Sequence, residues 1–262
     1  MNITELNIVS YNSYKSIIMN RVTEYKMIVA LCRGGGIGFR GSLPWPKLSR
    51  DMRFFAEMTT SSAVPNNSAV IMGSKTWNSL PDSSKPLKSR DNLIISNSKF
   101  LSENVESDAF TCSPSVRYIR HLNKTPEYTT NYDVAWIIGG ASIYEQVIYN
   151  NTFSISEIYM TFVDELYEFD TIFPVTYQYD TIDEILQLHN NSLNKRIWTW
   201  TDSDNIPKYI SFNSDNNDEY YSVEDVDRNI ISRLTRDSDL IATKERRIPN
   251  LRFLKLKRLL VI

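Results

Sequence analysis

Five short apolar runs punctuate the first two thirds of the chain: Met27-Ile28-Val29-Ala30-Leu31-Cys32, Ala69-Val70-Ile71-Met72, Asn92-Leu93-Ile94-Ile95, Val134-Ala135-Trp136-Ile137-Ile138 and Ile155-Ser156-Glu157-Ile158-Tyr159-Met160-Thr161. Most are continuous rather than alternating, and turn residues bound several of them, which predicts strands covered on both faces. Helical spacing appears between them, most clearly over Leu48–Met58 and Ala141–Tyr149. Buried strands alternating with helices predict an α/β domain built on a largely parallel sheet.

The two ends of the chain read differently. Residues 1–25 mix Tyr, Asn and Ser with a few apolar positions and are read as an N-terminal extension. Lys208-Tyr209-Ile210-Ser211-Phe212 alternates and predicts a last edge strand, and Asn213–Glu219 reads as a linker. The predicted organisation is therefore an extension over 1–25, one domain over 26–215, and a linker with a tail over 216–262. Residues 244–262 carry Lys244, Arg246, Arg247, Arg252, Lys255, Lys257 and Arg258 against one acid, Glu245, a net charge of +6 beside −8 for the rest. Leu251, Leu254, Leu256, Leu259 and Leu260 are interleaved with these bases. This pattern suits a basic amphipathic helix for a membrane surface or a partner protein. The simpler reading is a terminal helix or frayed tail whose apolar side covers the chain's own domain.

Composition narrows the function. With 262 residues, 42% hydrophobic and 23% charged, the chain can build a globular core of one domain with extras or of two small ones. A net charge of −2 asks for neither nucleic acid nor membrane. Cys32 and Cys112 are too few for a disulfide framework and favour a reducing compartment. His121 and His189 stand apart, so no metal site is expected. No apolar run approaches the roughly 18 residues of a membrane span. A basic start followed by an apolar stretch is missing, so no signal peptide is read and a cytoplasmic location is expected.

Four groups of residues suggest chemistry. The first strand runs into Gly34-Gly35-Gly36-Ile37-Gly38 and then Leu43-Pro44-Trp45-Pro46. A glycine loop lets backbone approach a ligand closely, although alone it is equally a surface turn. The large apolar pair beside it is an odd thing to expose without a ligand. Secondly, Asp51, Phe55 and Met58 share one helical face, where a lone acid is costly unless paired. Its ordinary alternative is a solvated acid in a first turn. Thirdly, Ile71-Met72-Gly73-Ser74-Lys75-Thr76 is strand, glycine and helix start, a place for an anion to meet free N–H groups. It lacks the glycine spacing of a nucleoside-triphosphatase phosphate loop. Fourthly, Ile137-Ile138-Gly139-Gly140-Ala141-Ser142-Ile143-Tyr144 repeats that arrangement. Two such turns in one sheet, with an acid on an aromatic face, point to a dinucleotide beside a small planar substrate.

These residues, taken with their order, resemble the dihydrofolate reductase family. The match runs through Ile28-Val29-Ala30, Gly36-Ile37-Gly38, Gly41-Ser42-Leu43-Pro44-Trp45-Pro46, Phe54-Phe55, Met58-Thr59, Val70-Ile71-Met72-Gly73, Lys75-Thr76-Trp77, Ser79-Leu80-Pro81, Pro86-Leu87-Lys88-Ser89-Arg90, Trp136-Ile137-Ile138-Gly139-Gly140, Ile143-Tyr144 and Phe169-Asp170-Thr171-Ile172-Phe173-Pro174. It covers about residues 26–212 and is closer to the eukaryotic type at Pro86–Arg90. The resemblance implies a mostly parallel central sheet flanked by helices, with an antiparallel C-terminal edge strand. It also implies reduction of dihydrofolate with NADPH and a site for methotrexate-type antifolates.

By that resemblance Asp51 would hydrogen-bond the 2-amino group and N3 of the pterin. Trp45 would hold a water nearby, and Thr161 would support the same amino group. Ile28, Val29, Met52, Phe55, Leu80, Leu87 and Ile138 would line the substrate's path, and Arg90 would pair with its α-carboxylate. Leu43 would ride on a mobile loop, Gly34–Trp45, that closes over the nicotinamide. NADPH would be held by Ala30, Ile37, Gly38, Gly41, Ser42, Ser74, Lys75, Thr76, Ser96, Asn97, Ser98, Gly139, Gly140, Ala141, Ser142, Ile143 and Tyr144, with a cis peptide joining Gly139 to Gly140.

The pattern departs from the family in places. Asp51 stands where many eukaryotic relatives have Glu, Met52 replaces an aromatic, and Ser74 replaces a base. Asn97 stands where an Arg usually grips the 2′-phosphate, leaving Ser96, Ser98 and Lys99 for that group. Beyond Asn217 the resemblance ends. Glu219-Tyr220-Tyr221 and Asp225–Leu234 faintly resemble the opening of thymidylate synthase, to which this domain is fused in some organisms, but no Cys follows Cys112. Two function classes follow: an active reductase, or a non-catalytic folate- or protein-binding relative that works through its tail or self-associates by it. On this reading a chain ending near Asp218 keeps the active site.

Overall fold

The computed structural model describes residues 23–60, 67–149, 153–174, 176–180, 196–201, 203–212, 219–236 and 248–258. In chain order the strands are β1 (Glu24–Cys32), β2 (Gly36–Gly38), β3 (Ser68–Gly73), β4 (Asp91–Ile95), β5 (Ala109–Ser113), β6 (Val116–Ile119), β7 (Val134–Gly139), β8 (Ile155–Val163), β9 (Thr171–Ile172), β10 (Thr176–Tyr179), β11 (Arg196–Trp198), β12 (Tyr209–Phe212), β13 (Glu219–Asp225) and β14 (Leu251–Arg258). The α-helices are α1 (Ser49–Thr60), α2 (Ser74–Ser79), α3 (Asn97–Glu103), α4 (Ala141–Tyr149) and α5 (Arg228–Leu234).

Twelve strands form one sheet in the order β11-β10-β12-β13-β14-β8-β1-β7-β3-β4-β6-β5. The central run β8-β1-β7-β3-β4-β6 is parallel. The flanking strands pair antiparallel. Each of the five apolar runs is a central strand, and the two helical patterns are α1 and α4. Parallel strands bring their C-terminal ends to one edge of the sheet, so the loops after β1, β3, β4 and β7 meet there.

Strand alternation sorts the core into two layers. Met27, Val29 and Leu31 face the layer that also holds Ile143, Tyr144, Val147 and Ile148 of α4. Ile28, on the opposite face, packs with Phe54 and Met58 of α1 and with Trp136 and Tyr159. Phe54 is fully buried. Burying a phenylalanine contributes roughly 1.5–3 kcal/mol, so it alone does much to dock α1 on the sheet.

The two ends of the chain differ from expectation. Residues 1–22 lie outside the described residues, but Thr23 is buried and β1 already begins at Glu24, so the ordered domain reaches back into the predicted extension. Lys208–Phe212 does contain an antiparallel strand, β12, yet β10 and β11 lie beyond it, so it is not the edge. The boundary at residue 215 does not divide the structure, because β13 and β14 belong to the same sheet.

The basic tail, read as helical, contains a strand instead. Leu254-Lys255-Leu256-Lys257 alternates with period two, and β8 and β13 offer ladder partners on either side. Leu254 and Leu256 point into the α4 layer. On the opposite face Phe253 packs against Phe54 and Lys255 pairs with Glu157 at 2.5 Å. The tail does cover the chain's own domain, but as an interior strand rather than a helix on its surface.

Candidate active site

The glycine loop after β1 is tied at its base. Gly34 and Gly35 adopt positive φ (84° and 78°), the Gly34 amide donates to the Trp200 carbonyl at 3.0 Å, and a Cβ on Gly36 would meet the Phe169 ring at 2.4 Å. Strand β2 pairs with β9 just beyond. The tight turn from Phe39 to Ser42 is held as well, since its Arg40 amide donates to the Asp170 carboxylate at 2.8 Å, and Leu43 after it is 43% exposed. The loop read as mobile from Gly34 to Trp45 is thus tied at Gly34–Gly36 and again at Arg40.

Asp51 sits in the first turn of α1 yet is only 3% exposed, which removes the reading of a solvated first-turn acid. Burial pushes its carboxyl up to about 6, against the opposing effect of a hydrogen bond with the Thr161 side chain on β8. Trp45 is buried in an apolar cluster with Cys32, Leu48 and Val163. Its Nε1 finds no protein acceptor among the described residues. A buried indole N–H of this kind calls for a water or ligand partner.

The apolar wall comes from the α1 layer, where Ile28, Phe55, Leu80, Leu87 and Ile138 meet. Met52 is half-buried on α1. Val29 differs, since its side chain lies in the opposite layer. Arg90 is 8% exposed. Its Nε donates to the Lys88 carbonyl at 3.0 Å, its Nη1 to the Thr59 hydroxyl, and its guanidinium lies 5.5 Å from the Phe55 ring centroid. Burial lowers its pKa to about 10, which leaves it charged at neutral pH.

Two supporting residues escaped the sequence reading. Asn92, fully buried, accepts from the Leu87 amide and donates to the Leu87 carbonyl, both at 3.0 Å, bracing the Leu87–Arg90 loop. Its signal was a polar residue inside an apolar strand, which demands partners. Thr59 was quoted only as part of a motif; its place one turn beyond Phe55 on α1 was the clue.

Ser74–Thr76 open α2 after β3, Ser96 caps α3 after β4, and Gly139–Ser142 join β7 to α4, all at the strand edge described above. Ala30 stands near the end of β1 beside them, with Ile37 and Gly38 in β2 and Gly41 and Ser42 at the loop tip. The Gly139–Gly140 peptide is cis. Gly139 has φ 98°, and a Cβ there would lie 2.7 Å from the Tyr144 ring, so no other residue fits. The Tyr144 hydroxyl donates to the Ile28 carbonyl at 2.8 Å, linking α4 to β1. A family model for dihydrofolate reductase matches residues 24–199. The chain belongs to the dihydrofolate reductase family.

Relatives agree. The viral dihydrofolate reductase of Saimiriine herpesvirus 2 (strain 488) is 40% identical over 147 residues, covering 56% of this chain and 67% of that protein. The dihydrofolate reductases of Mus musculus and Bos taurus are 36% and 37% identical over 154 residues, covering 58% of this chain and 80% of theirs. In this reductase, strands β12, β13 and β14 and helix α5 all lie beyond the matched stretch.

An α-helix has no internal acceptors for its first amides, so those of Ala141 and Ser142 at the start of α4 have no partner within the helix. A Cβ on Gly140 would already stand 3.2 Å from the Thr76 hydroxyl, which shows how closely the two turns approach. Lys75 is exposed at the start of α2. At α3, Ser96 Oγ accepts from the Lys99 amide, and Asn97 and Ser98 are exposed. Lys99 pairs with Glu103 at 2.7 Å, so its charge is partly spent within α3.

Proposed function

We propose that this reductase converts 7,8-dihydrofolate to 5,6,7,8-tetrahydrofolate with NADPH as reductant. The observation that carries the reading is the Asp51–Thr161 pair, an acid and a hydroxyl buried together between α1 and β8. A pterin offers two adjacent donors, its 2-amino group and N3, and one carboxylate accepts both. Thr161 and a water on Trp45 Nε1 keep the carboxylate oriented. When bound, NADPH supplies the hydride that reduces pterin C6. The protein's part is to hold the ring, polarise it through Asp51, and admit one proton to N5 from water.

Closure of the Phe39–Leu43 tip over the reacting face would exclude bulk water. Residues along the apolar wall (Ile28, Met52, Phe55, Leu80, Leu87, Ile138) hold the flat rings, and Arg90 meets the substrate's α-carboxylate. Residues 251–258 of the tail lie inside the sheet, which weighs against the alternative of a non-catalytic relative acting through a free tail. Among the described residues no helix is long and apolar enough to cross a membrane.

A spectrophotometric assay tests the reading. NADPH absorbance should fall only when dihydrofolate is present, one reductant per substrate; a folded chain without turnover would refute it. Two substitutions probe its parts. Arg90→Lys keeps the charge but loses the planar fork, so KM for dihydrofolate should rise about tenfold while NADPH affinity holds. Titration of both ligands checks this. Asn97→Arg adds a cation beside the position proposed for the 2′-phosphate, so NADPH should tighten selectively over NADH, with less benefit at high salt. Equal changes for both cofactors would show that residue 97 faces elsewhere.

A further inference from the structure

We infer that the segment beyond the family match clamps the helix that carries Asp51, with Phe253 and Leu234 as positioning residues that set how α1 seats against β8. This rests on the proposed role of Asp51 as the pterin anchor.

The contacts form one continuous path. On β14, Phe253 stands in register opposite Thr161 of β8. Its ring lies 4.6 Å from the Phe54 ring, and Phe54 is three residues on from Asp51 in α1. The Arg50 guanidinium, one residue before Asp51, lies 5.1 Å from the same Phe253 ring. Helix α5 grips the next turn of α1. Arg53 Nε donates to the Leu234 carbonyl at 2.7 Å, and Arg233 pairs with Glu57 at 2.9 Å. Leu234 and Val226 are buried in the same layer as Phe54 and Phe253, and the Val226 amide donates to the Phe253 carbonyl at 3.0 Å.

The gripped flank is Arg50, Arg53, Phe54 and Glu57. At about 100° per residue its centre lies roughly 150° around the helix from the flank bearing Asp51, Phe55 and Thr59. The clamp therefore touches α1 without entering the substrate's side. Phe253 is the spacer between α1 and the strand pair β8–β14. Removing its ring lets α1 move relative to β8, and the two halves of the pterin anchor sit on these two elements. A displacement of about 1 Å at a reacting site can lower rate by up to a hundredfold. Most of the cofactor edge is built on β3, β4, β7 and α4, none of which pairs with β14.

The test uses the full chain with Phe253→Ala, Phe253→Leu and Leu234→Ala. Single-turnover reduction, KM for dihydrofolate and NADPH affinity by fluorescence are measured for each. Phe253→Ala should raise KM for dihydrofolate about tenfold or more and slow reduction, with NADPH affinity within about twofold of the parent. Phe253→Leu should recover most of the loss, and Leu234→Ala should shift KM in the same direction by less. If Phe253→Ala does not fold, the other two carry the same expectation at smaller amplitude. Folded variants with parental KM, or with dihydrofolate and NADPH binding weakened equally, would overturn the inference. A parent chain that does not turn over dihydrofolate would overturn the proposed function and this inference with it.

Discussion

Asp51→Asn is expected to slow reduction of dihydrofolate by about tenfold to a hundredfold and, at the same time, to stabilise the protein above neutral pH. The loss follows from the chemistry of the anchor. Asn presents one carbonyl oxygen where the carboxylate presents two, and removing a charge-assisted hydrogen bond costs roughly 1.5–3 kcal/mol. NADPH affinity should hold, because the cofactor edge lies on other elements. The gain follows from burial. The folded-state pKa of Asp51 is raised from 3.8 to about 6, so the native state holds this proton more tightly than the unfolded chain. That advantage is complete below about 4 and is lost as pH rises through about 6. Above that, an ionised buried carboxylate leaves the parent about 3 kcal/mol less stable than a chain with a neutral group there. Thermal scans should show the variant melting higher at pH 8 and level with the parent near pH 4. A variant with unaltered turnover would end the assignment of Asp51 as the anchor.

Deleting residues 237–262 is expected to destroy the fold, contrary to the reading that the tail is dispensable. The deletion removes β14 from between β13 and β8. Both of those strands run antiparallel to β14, so they are parallel to each other and cannot re-form the same ladder. It also empties the positions of Phe253, Leu254 and Leu256, each 5% exposed or less. Emptying one such position typically costs 2–5 kcal/mol, and three together approach or exceed the roughly 5–15 kcal/mol that holds a domain folded. Circular dichroism and gel filtration of the shortened chain should report loss of the cooperative transition and aggregation. A monomeric, active product would contradict the placement of β14.

The central sheet was legible because strands covered on both faces must be apolar throughout. That is why β1, β3, β4, β7 and β8 stood out, and why α1 and α4 showed their periods. The outer strands were not legible for the converse reason. Strand β6 carries Arg117 near an edge of the sheet, and β11 leaves Ile197 more than half exposed, so neither makes a clean pattern. The tail misled because Leu251 and Leu254 fit a helical stripe as well as Leu254 and Leu256 fit a strand. Only its neighbours, β8 and β13, decide between them. At the site, Asp51 was visible as an acid on an aromatic helix face. Val29 was not separable from Ile28 in a continuous run, where alternation leaves no mark on composition. Asn92 gave a signal, a polar residue in a buried strand, that was passed over.

The pH dependence of single-turnover reduction tests the central claim most directly. Asp51 is the group in the proposed pterin pocket whose raised pKa, about 6, lets it change charge in this range, and only its carboxylate form accepts from both pterin donors. With NADPH saturating and dihydrofolate well below KM, the parent should lose rate toward tenfold per pH unit as pH falls below about 6. Asp51→Asn should be slow throughout and lack that midpoint. The same midpoint in both proteins, or none in the parent, would contradict the account.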